Sequence, residues 1–224
     1  MSSSICFLFG AGEYYDSYPI MPKTNDYIIA VDGGYNYNKQ MGITPHLLIG
    51  DFDSISSSSD ISEFKGELLQ FSPHKDYTDM HLAVKEGIKR GYSCFVIYGG
   101  LGGRTDHLVA NLQLLAWISA RNITAYLIGD NQVITAITNS SISYPDILKK
   151  NRSNKLLAPA IGKYISVLSH TNESKGVTIT GLEYEIKDAH ITNEFAIGTS
   201  NSFVSENYSI SVKEGTLLII SEYR

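Results

Sequence analysis

"LLIGDFDS" (Leu47–Ser54) carries two messages in eight residues. Leu47–Gly50 reads as a short buried strand, and Asp51 and Asp53 leave its end one residue apart. The layout recurs in "ICFLFG" (5–10), "YIIAVDGG" (27–34), "CFVIYGG" (94–100) and "AYLIGDN" (125–131). Each is a brief run rich in Ile, Val, Phe and Tyr, stopped by Gly or Asp. Helical patterns lie between some of them. Met80, Ala83, Val84, Gly87 and Ile88 follow the i, i+3, i+4, i+7, i+8 stripe of a helix lying on a core. "LVANLQLLAWIS" (108–119) is apolar nearly all round and predicts a well-buried helix. Strands alternating with helices predict a mostly parallel sheet covered on its faces.

The pattern changes near residue 138. "TNSSISYPDILKKNRSNK" is polar and without steady period, a linker with room for a short strand or helical turn. Beyond it, "KYISVLSH", "GVTITGLEYEI", "NYSISVKEG" and "TLLIISEY" are strand-like, with alternation at Tyr208, Ile210 and Val212 and frequent turn signals. The expected fold is α/β: an N-terminal parallel-sheet α/β domain (1–138), a linker (139–154) and a small C-terminal antiparallel β-sandwich domain (155–224).

The 224 residues suffice for a substantial core. A net charge of −5 without a basic patch argues against a nucleic-acid partner. No apolar run approaches the roughly 20 residues of a membrane helix, and the N-terminus lacks the basic start of a signal peptide. Cys6 and Cys94 sit inside apolar runs, as buried thiols of a reducing compartment do, so a cytoplasmic location is expected.

Ligands of open parallel sheets bind at the carboxyl ends of the strands. That edge collects Asp32, Asp51 and Asp53, the glycine turn 99–103 with Arg104, Asp106 and His107, and Lys75, Asp76 and Asp79 from "HKDYTDMH". Taken singly, Asp32 is accounted for as a turn residue, and Asp76 and Asp106 as helix caps. Together they repel: two carboxylates about 4 Å apart cost roughly 4 kcal/mol at an effective dielectric of about 20. A divalent cation is the simplest relief, and oxygen-only ligands suit Mg²⁺ with substrate phosphates. A glycine-rich loop beside a Lys and an Arg points to a nucleotide polyphosphate. There is no GxxxxGK[ST], and "GAGEYY" after the first strand lacks the third glycine of a dinucleotide fingerprint.

The motifs "DGG" (32–34), "GDFDS" (50–54), "KDYTD" (75–79) and "GGRTDH" (102–107) followed by Asn111, in this order, resemble the thiamine pyrophosphokinase (thiamine diphosphokinase) family. "GTSNSF" (198–203) extends the likeness into the β region. The resemblance implies an α/β domain, a β-sandwich and a homodimer that moves a pyrophosphoryl group from ATP to the hydroxyl of thiamine with Mg²⁺, leaving AMP. It implies Asp51, Asp53, Asp76, Asp79 and Arg104 as catalytic positions, with Asp51, Asp53 and Asp79 on the metal. It implies a nucleotide site of Asp32, Gly33, Lys75, Thr78, Gly102, Gly103, Arg104, Asp106, His107 and Asn111. Ser200 and Asn201 would lie near thiamine across the dimer interface. Ser202 stands where many bacterial members carry an acid, and "GAGE" replaces a doubled glycine. Two rival readings keep part of this chemistry: a Mg²⁺-dependent phosphohydrolase acting on a nucleotide, in which the acids activate water, and a non-catalytic nucleotide- or thiamine-binding regulator. Fifteen tyrosines leave the aromatic contact to the substrate ring unassigned, and Trp117 reads as core or interface.

Overall fold

Every strand expected in the first half forms in the computed structural model, which describes residues 4–15, 22–52, 58–72, 76–144, 161–205 and 207–223. β1 (Cys6–Phe9) lies between β2 (Tyr27–Val31) and β5 (Cys94–Tyr98), parallel to both. β3 (Leu47–Gly50) and β4 (Glu67–Gln70) continue the parallel pairing on the β2 side, and β6 (Thr124–Gly129) on the β5 side. Both faces of β1, β2, β3, β5 and β6 are covered. Cys6 and Leu8 enter one core cluster with Ile29, Ile49 and Phe95, while Phe7 and Phe9 enter another with Val96 and Tyr98. Two-sided burial is why the runs are continuously apolar rather than alternating. It also puts Cys6 and Cys94 in separate clusters as free, buried thiols, and burial pushes the Cys6 thiol far up.

The helices follow their stripes. α3 (Asp79–Lys89) buries Met80, Ala83, Val84 and Gly87, and the Thr78 hydroxyl caps it by accepting the His81 N–H at 3.2 Å. α4 (Thr105–Ser119) buries Leu114, Leu115, Ala116 and Ile118 but leaves Val109 exposed, so its outer turn meets solvent despite the apolar sequence. The short α1 (Gly34–Gln40) and α2 (Ser58–Glu63) follow β2 and β3.

The sheet does not stop at residue 138. β6 turns through Asn131, at φ +52°, into antiparallel β7 (Gln132–Thr138). β7 pairs with β14 (Thr216–Tyr223), β14 with β9 (Ile161–Ser169), and β9 with the two-residue β12 (Asn201–Ser202). Among the described residues the result is one ten-stranded mixed sheet in the order β12-β9-β14-β7-β6-β5-β1-β2-β3-β4. A smaller antiparallel sheet, in the order β11 (Ile186–Thr192), β10 (Glu173–Thr180), β13 (Tyr208–Ser211), β8 (Ser141–Tyr144), packs on its far half. Ile165, Val167, Leu217 and Ile219 of the long sheet meet Val177, Ile179 and Ile210 of the small one, forming the expected sandwich. β8 occupies part of the stretch read as linker; residues 145–160 lie outside the described residues.

Because β14 is hydrogen-bonded into both halves, they share one cooperative unit. Calorimetry should show a single unfolding transition whose calorimetric and van't Hoff enthalpies agree. Two resolved transitions would mean that the β7–β14 pairing does not couple the halves.

Candidate active site

Parallel pairing aims the carboxyl ends of β1, β2, β3 and β5 at one edge, where the turns after β1, β2 and β5 line a cleft of about 670 Å³. The turn after β1 is zipped to the turn after β5. Gly10 N–H donates to the Tyr98 carbonyl, Gly12 N–H to Gly99 and Glu13 N–H to Leu101, all at 2.8–2.9 Å. Gly99, at φ +61°, takes a left-handed conformation, and a Cβ there would strike the Gly10 carbonyl. Asn111, buried on α4, donates to the Gly100 carbonyl at 2.7 Å and ties the glycine loop to the helix. The cleft wall is therefore backbone-rich and open to a polyanion.

Asp32 sits at φ +47° just after β2, and its Oδ1 accepts the Asp51 N–H at 3.1 Å. That oxygen fills the space a Cβ on Gly50 would occupy, so the strand ending in Gly50 lets the two acidic turns close together. Burial first, then the charge and hydrogen bond of Asp79 and the charge of Asp51, push the Asp32 carboxyl up to about 7. Phe52, between the two acids of the motif, is also left-handed at φ +68° and packs against the Ala30, Tyr35 and Leu48 cluster. A bulky residue in that conformation is strained.

Asp32, Asp76, Thr78, Asp79, Gly102, Gly103, Arg104, His107 and Asn111 all line the cleft. Gly33 is the N-cap residue of α1 behind it. Asp106 lies in the first turn of α4 rather than capping it, and engages Arg104 through two contacts, 2.6 and 3.1 Å. That pairing raises the exposed guanidinium and lowers the carboxyl. Asp53 and Lys75 lie outside the described residues. Ser200 and Asn201 are elsewhere. Ser200, at φ +59°, donates its N–H to Ser166 Oγ, and buried Asn201 spends its amide on both backbone groups of Tyr184. The motifs missed the glycines of the first turn, Gly10 and Gly12, and the ring of Tyr77, all of which line the cleft. The early "GAGE" was the available signal for the former.

The groups gathered around Asp32, namely Asp51 and Asp79, are carboxylates, the oxygen ligands a hard cation takes. Among the described residues no three His, Cys, Asp or Glu side chains are grouped closely enough to hold a metal ion. No helix among them is long and apolar enough to cross a membrane.

The comparisons with known proteins agree on one family. Residues 19–127 match the thiamin pyrophosphokinase catalytic domain, and residues 149–217 match the thiamin pyrophosphokinase vitamin B1 binding domain. A thiamine pyrophosphokinase of Bacillus subtilis is 30% identical over 194 residues, covering 86% of this chain and 85% of that one. One from Caenorhabditis elegans is 25% identical over 204 residues, covering 87% and 78%. A crystal structure of the Bacillus subtilis thiamine pyrophosphokinase superposes with a TM-score of 0.81 at 24% identity, covering 98% of this chain and 99% of that one. The Candida albicans thiamin pyrophosphokinase gives 0.72 at 16%, covering 99% and 90%. The chain belongs to the thiamine pyrophosphokinase family.

A carboxyl whose folded pKa exceeds its unfolded value near 3.9 binds more protons when folded. Metal-free protein should then lose stability as pH rises from about 4 to about 7. Asp32→Asn stays neutral and keeps an acceptor for Asp51 N–H. It should melt above wild type at about pH 8 and match it only near about pH 3, where Asp32 is protonated in both the folded and the unfolded chain, and Mg²⁺ should narrow the gap at the higher pH. A difference that does not vary with pH would remove the repulsion.

Proposed function

We propose that the chain transfers the pyrophosphoryl group of ATP to the hydroxyl of thiamine, releasing AMP. The observation that carries this reading is the single cleft in which the glycine turns of β1 and β5, Arg104 and the acids Asp32, Asp76 and Asp79 come together. Backbone N–H groups of the glycine turns and the Arg104 guanidinium would bind the phosphates of the donor. Asp51, Asp53 and Asp79 are the residues that would hold Mg²⁺, which neutralises phosphate oxygens when bound. The thiamine hydroxyl attacks the β-phosphorus as the bond to the α,β-bridging oxygen breaks, and AMP leaves with that oxygen. Arg104 stabilises the charge that spreads over the transferring group, and an edge carboxylate such as Asp76 accepts the hydroxyl proton. Thiamine carries a fixed positive charge, which an acidic cleft attracts.

The acceptor side calls for a second copy. β12, which begins at Asn201, lies five strands from β5 in the long sheet, or about 24 Å at about 4.8 Å per strand. That separation supports Ser200 reaching the cleft of a second protomer rather than its own. Exposed Tyr184, Phe195, Ile197 and Val204 lie in the same stretch of chain and offer an apolar surface for that contact.

With ATP and Mg²⁺, AMP should appear only when thiamine is present and in equal amount to thiamine diphosphate. ADP or phosphate formed without thiamine would mean hydrolysis instead. Arg104→Ala should lower kcat by about 10²–10³-fold. Asp79→Asn and Ser200→Arg should each be inactive alone. A 1:1 mixture should recover up to about a quarter of wild-type activity, because half the dimers would carry one intact composite site. No recovery after subunit exchange would place Ser200 outside the site.

A further inference from the structure

The cleft has one large exposed ring that the reading above does not use. Tyr77 falls between Asp76 and the helix cap Thr78, lines the cleft and is 43% exposed. Its apolar companions in the lining are Ala11, Val31, Met80 and Ala110, while the glycine turns, Arg104, His107 and the acids supply the polar part. An aromatic side chain left this open on a polar wall gains little from folding.

Tyr77 is nonetheless held. His81, one turn along, lies 4.7 Å from it centroid to centroid, and Trp117 of α4 backs His81 at 4.5 Å. The Arg121 guanidinium covers Trp117 at 3.5 Å, and the Lys85 ammonium sits 4.1 Å from the Tyr77 centroid. The chain Lys85–Tyr77–His81–Trp117–Arg121 fixes an exposed ring to α3 and α4, whose inner faces pack on the core. Such bracing suits a platform, because a pre-set ring loses little freedom when a ligand stacks on it.

We infer that Tyr77 is the stacking platform for the nucleobase of the triphosphate donor. The inference rests on the reading of the cleft as the donor site. Two planar ligands are candidates: Lys85 disfavours the thiazolium half of thiamine, and the wall Tyr77 shares with the phosphate-binding turns decides between a nucleobase and the neutral aminopyrimidine. A ring whose π-face already holds an ammonium is a poor second partner for the cationic thiazolium, whereas a neutral nucleobase stacks on it without charge repulsion. Tyr77 also shares its wall with the glycine turns and Arg104, so a base on Tyr77 and phosphates on the turns belong to one extended ligand.

The test compares ATP with inorganic tripolyphosphate, which has the phosphates and no base. Both are titrated calorimetrically with Mg²⁺ and without thiamine. Emission of Trp117, the single tryptophan of the chain, is followed in parallel. Wild type should bind ATP more tightly than tripolyphosphate. Tyr77→Ala should weaken ATP about tenfold or more and leave tripolyphosphate unchanged, and Tyr77→Phe should behave as wild type. In turnover, Tyr77→Ala should raise KM for ATP and not for thiamine. Equal weakening of both compounds by Tyr77→Ala, or a raised KM for thiamine alone, would overturn the inference. So would wild-type protein that binds ATP no better than tripolyphosphate, with the donor-site reading left standing. Wild-type protein that binds neither compound would sink the donor-site reading and the inference with it.

Discussion

Everything at the cleft depends on the register of β1 between β2 and β5. Cys6 stands opposite Tyr27 on one side and Phe95 on the other, and Phe9 opposite Ala30 and Tyr98. A slip of one residue would exchange the two faces of β1, moving the fully buried Phe7 and Phe9 into the cluster built for Cys6 and Leu8. Each large side chain buried there is worth about 1.5–3 kcal/mol, so the register is firmly held. The zip between residues 10–13 and 98–101 extends that register past the strand ends. The glycine turns are thus a continuation of the sheet and inherit its rigidity.

That rigidity sustains an edge that is unfavourable in itself. Asp32 and Phe52 are both left-handed, and Asp32 shares its space with Asp51 and Asp79. Among the described residues, the remaining non-glycine positions in this conformation are Asn122, Asn131, Asn139, Asp188 and Ser200; the asparagines and Asp188 are turn types that tolerate it. Strain at Phe52 and Ser200 has no such local excuse, and both fall inside the motifs "GDFDS" and "GTSNSF". Strain confined to motif positions is what a pre-organised site looks like when the scaffold over-determines it.

The sequence made some of this legible and hid the rest for physical reasons. β1, β2, β3, β5 and β6 could be read because two-sided burial leaves continuous apolar runs. α3 could be read because it has both a stripe and a capping threonine. β4 could not: "ELLQ" is a largely exposed edge strand with only two apolar residues. Continuity of the long sheet was also hidden. Periodicity says which face of β7 or β14 is buried but not that Thr138 pairs with Thr216, far along the chain. At the site, short-range motifs named Asp32, Asp76, Asp79, Arg104 and Asn111, all of which line the cleft, while Asp53 lies outside the described residues. Tyr77 was lost among fifteen tyrosines, since its role depends on what backs it and not on its neighbours in sequence. Asn201 shows the opposite limit, a motif residue whose side chain is consumed in fixing the turn at Tyr184.

The shared sheet constrains how donor and acceptor can meet on the proposed reading. In many two-domain enzymes a hinge closes one domain over the other. Here β14 is hydrogen-bonded to β7 along seven residue pairs and to β9 on its other side, so the C-terminal strands cannot swing toward the cleft without breaking the core pairing. The sheet acts as a fixed spacer between the glycine turns and the "GTSNSF" turn. On the proposed reading, closure within one chain would break the pairing that keeps the cleft rigid, and a second protomer would bring the two turns to one substrate. On that reading assembly does the work a hinge does elsewhere, and the chain keeps a stiff donor site at no cost in acceptor reach.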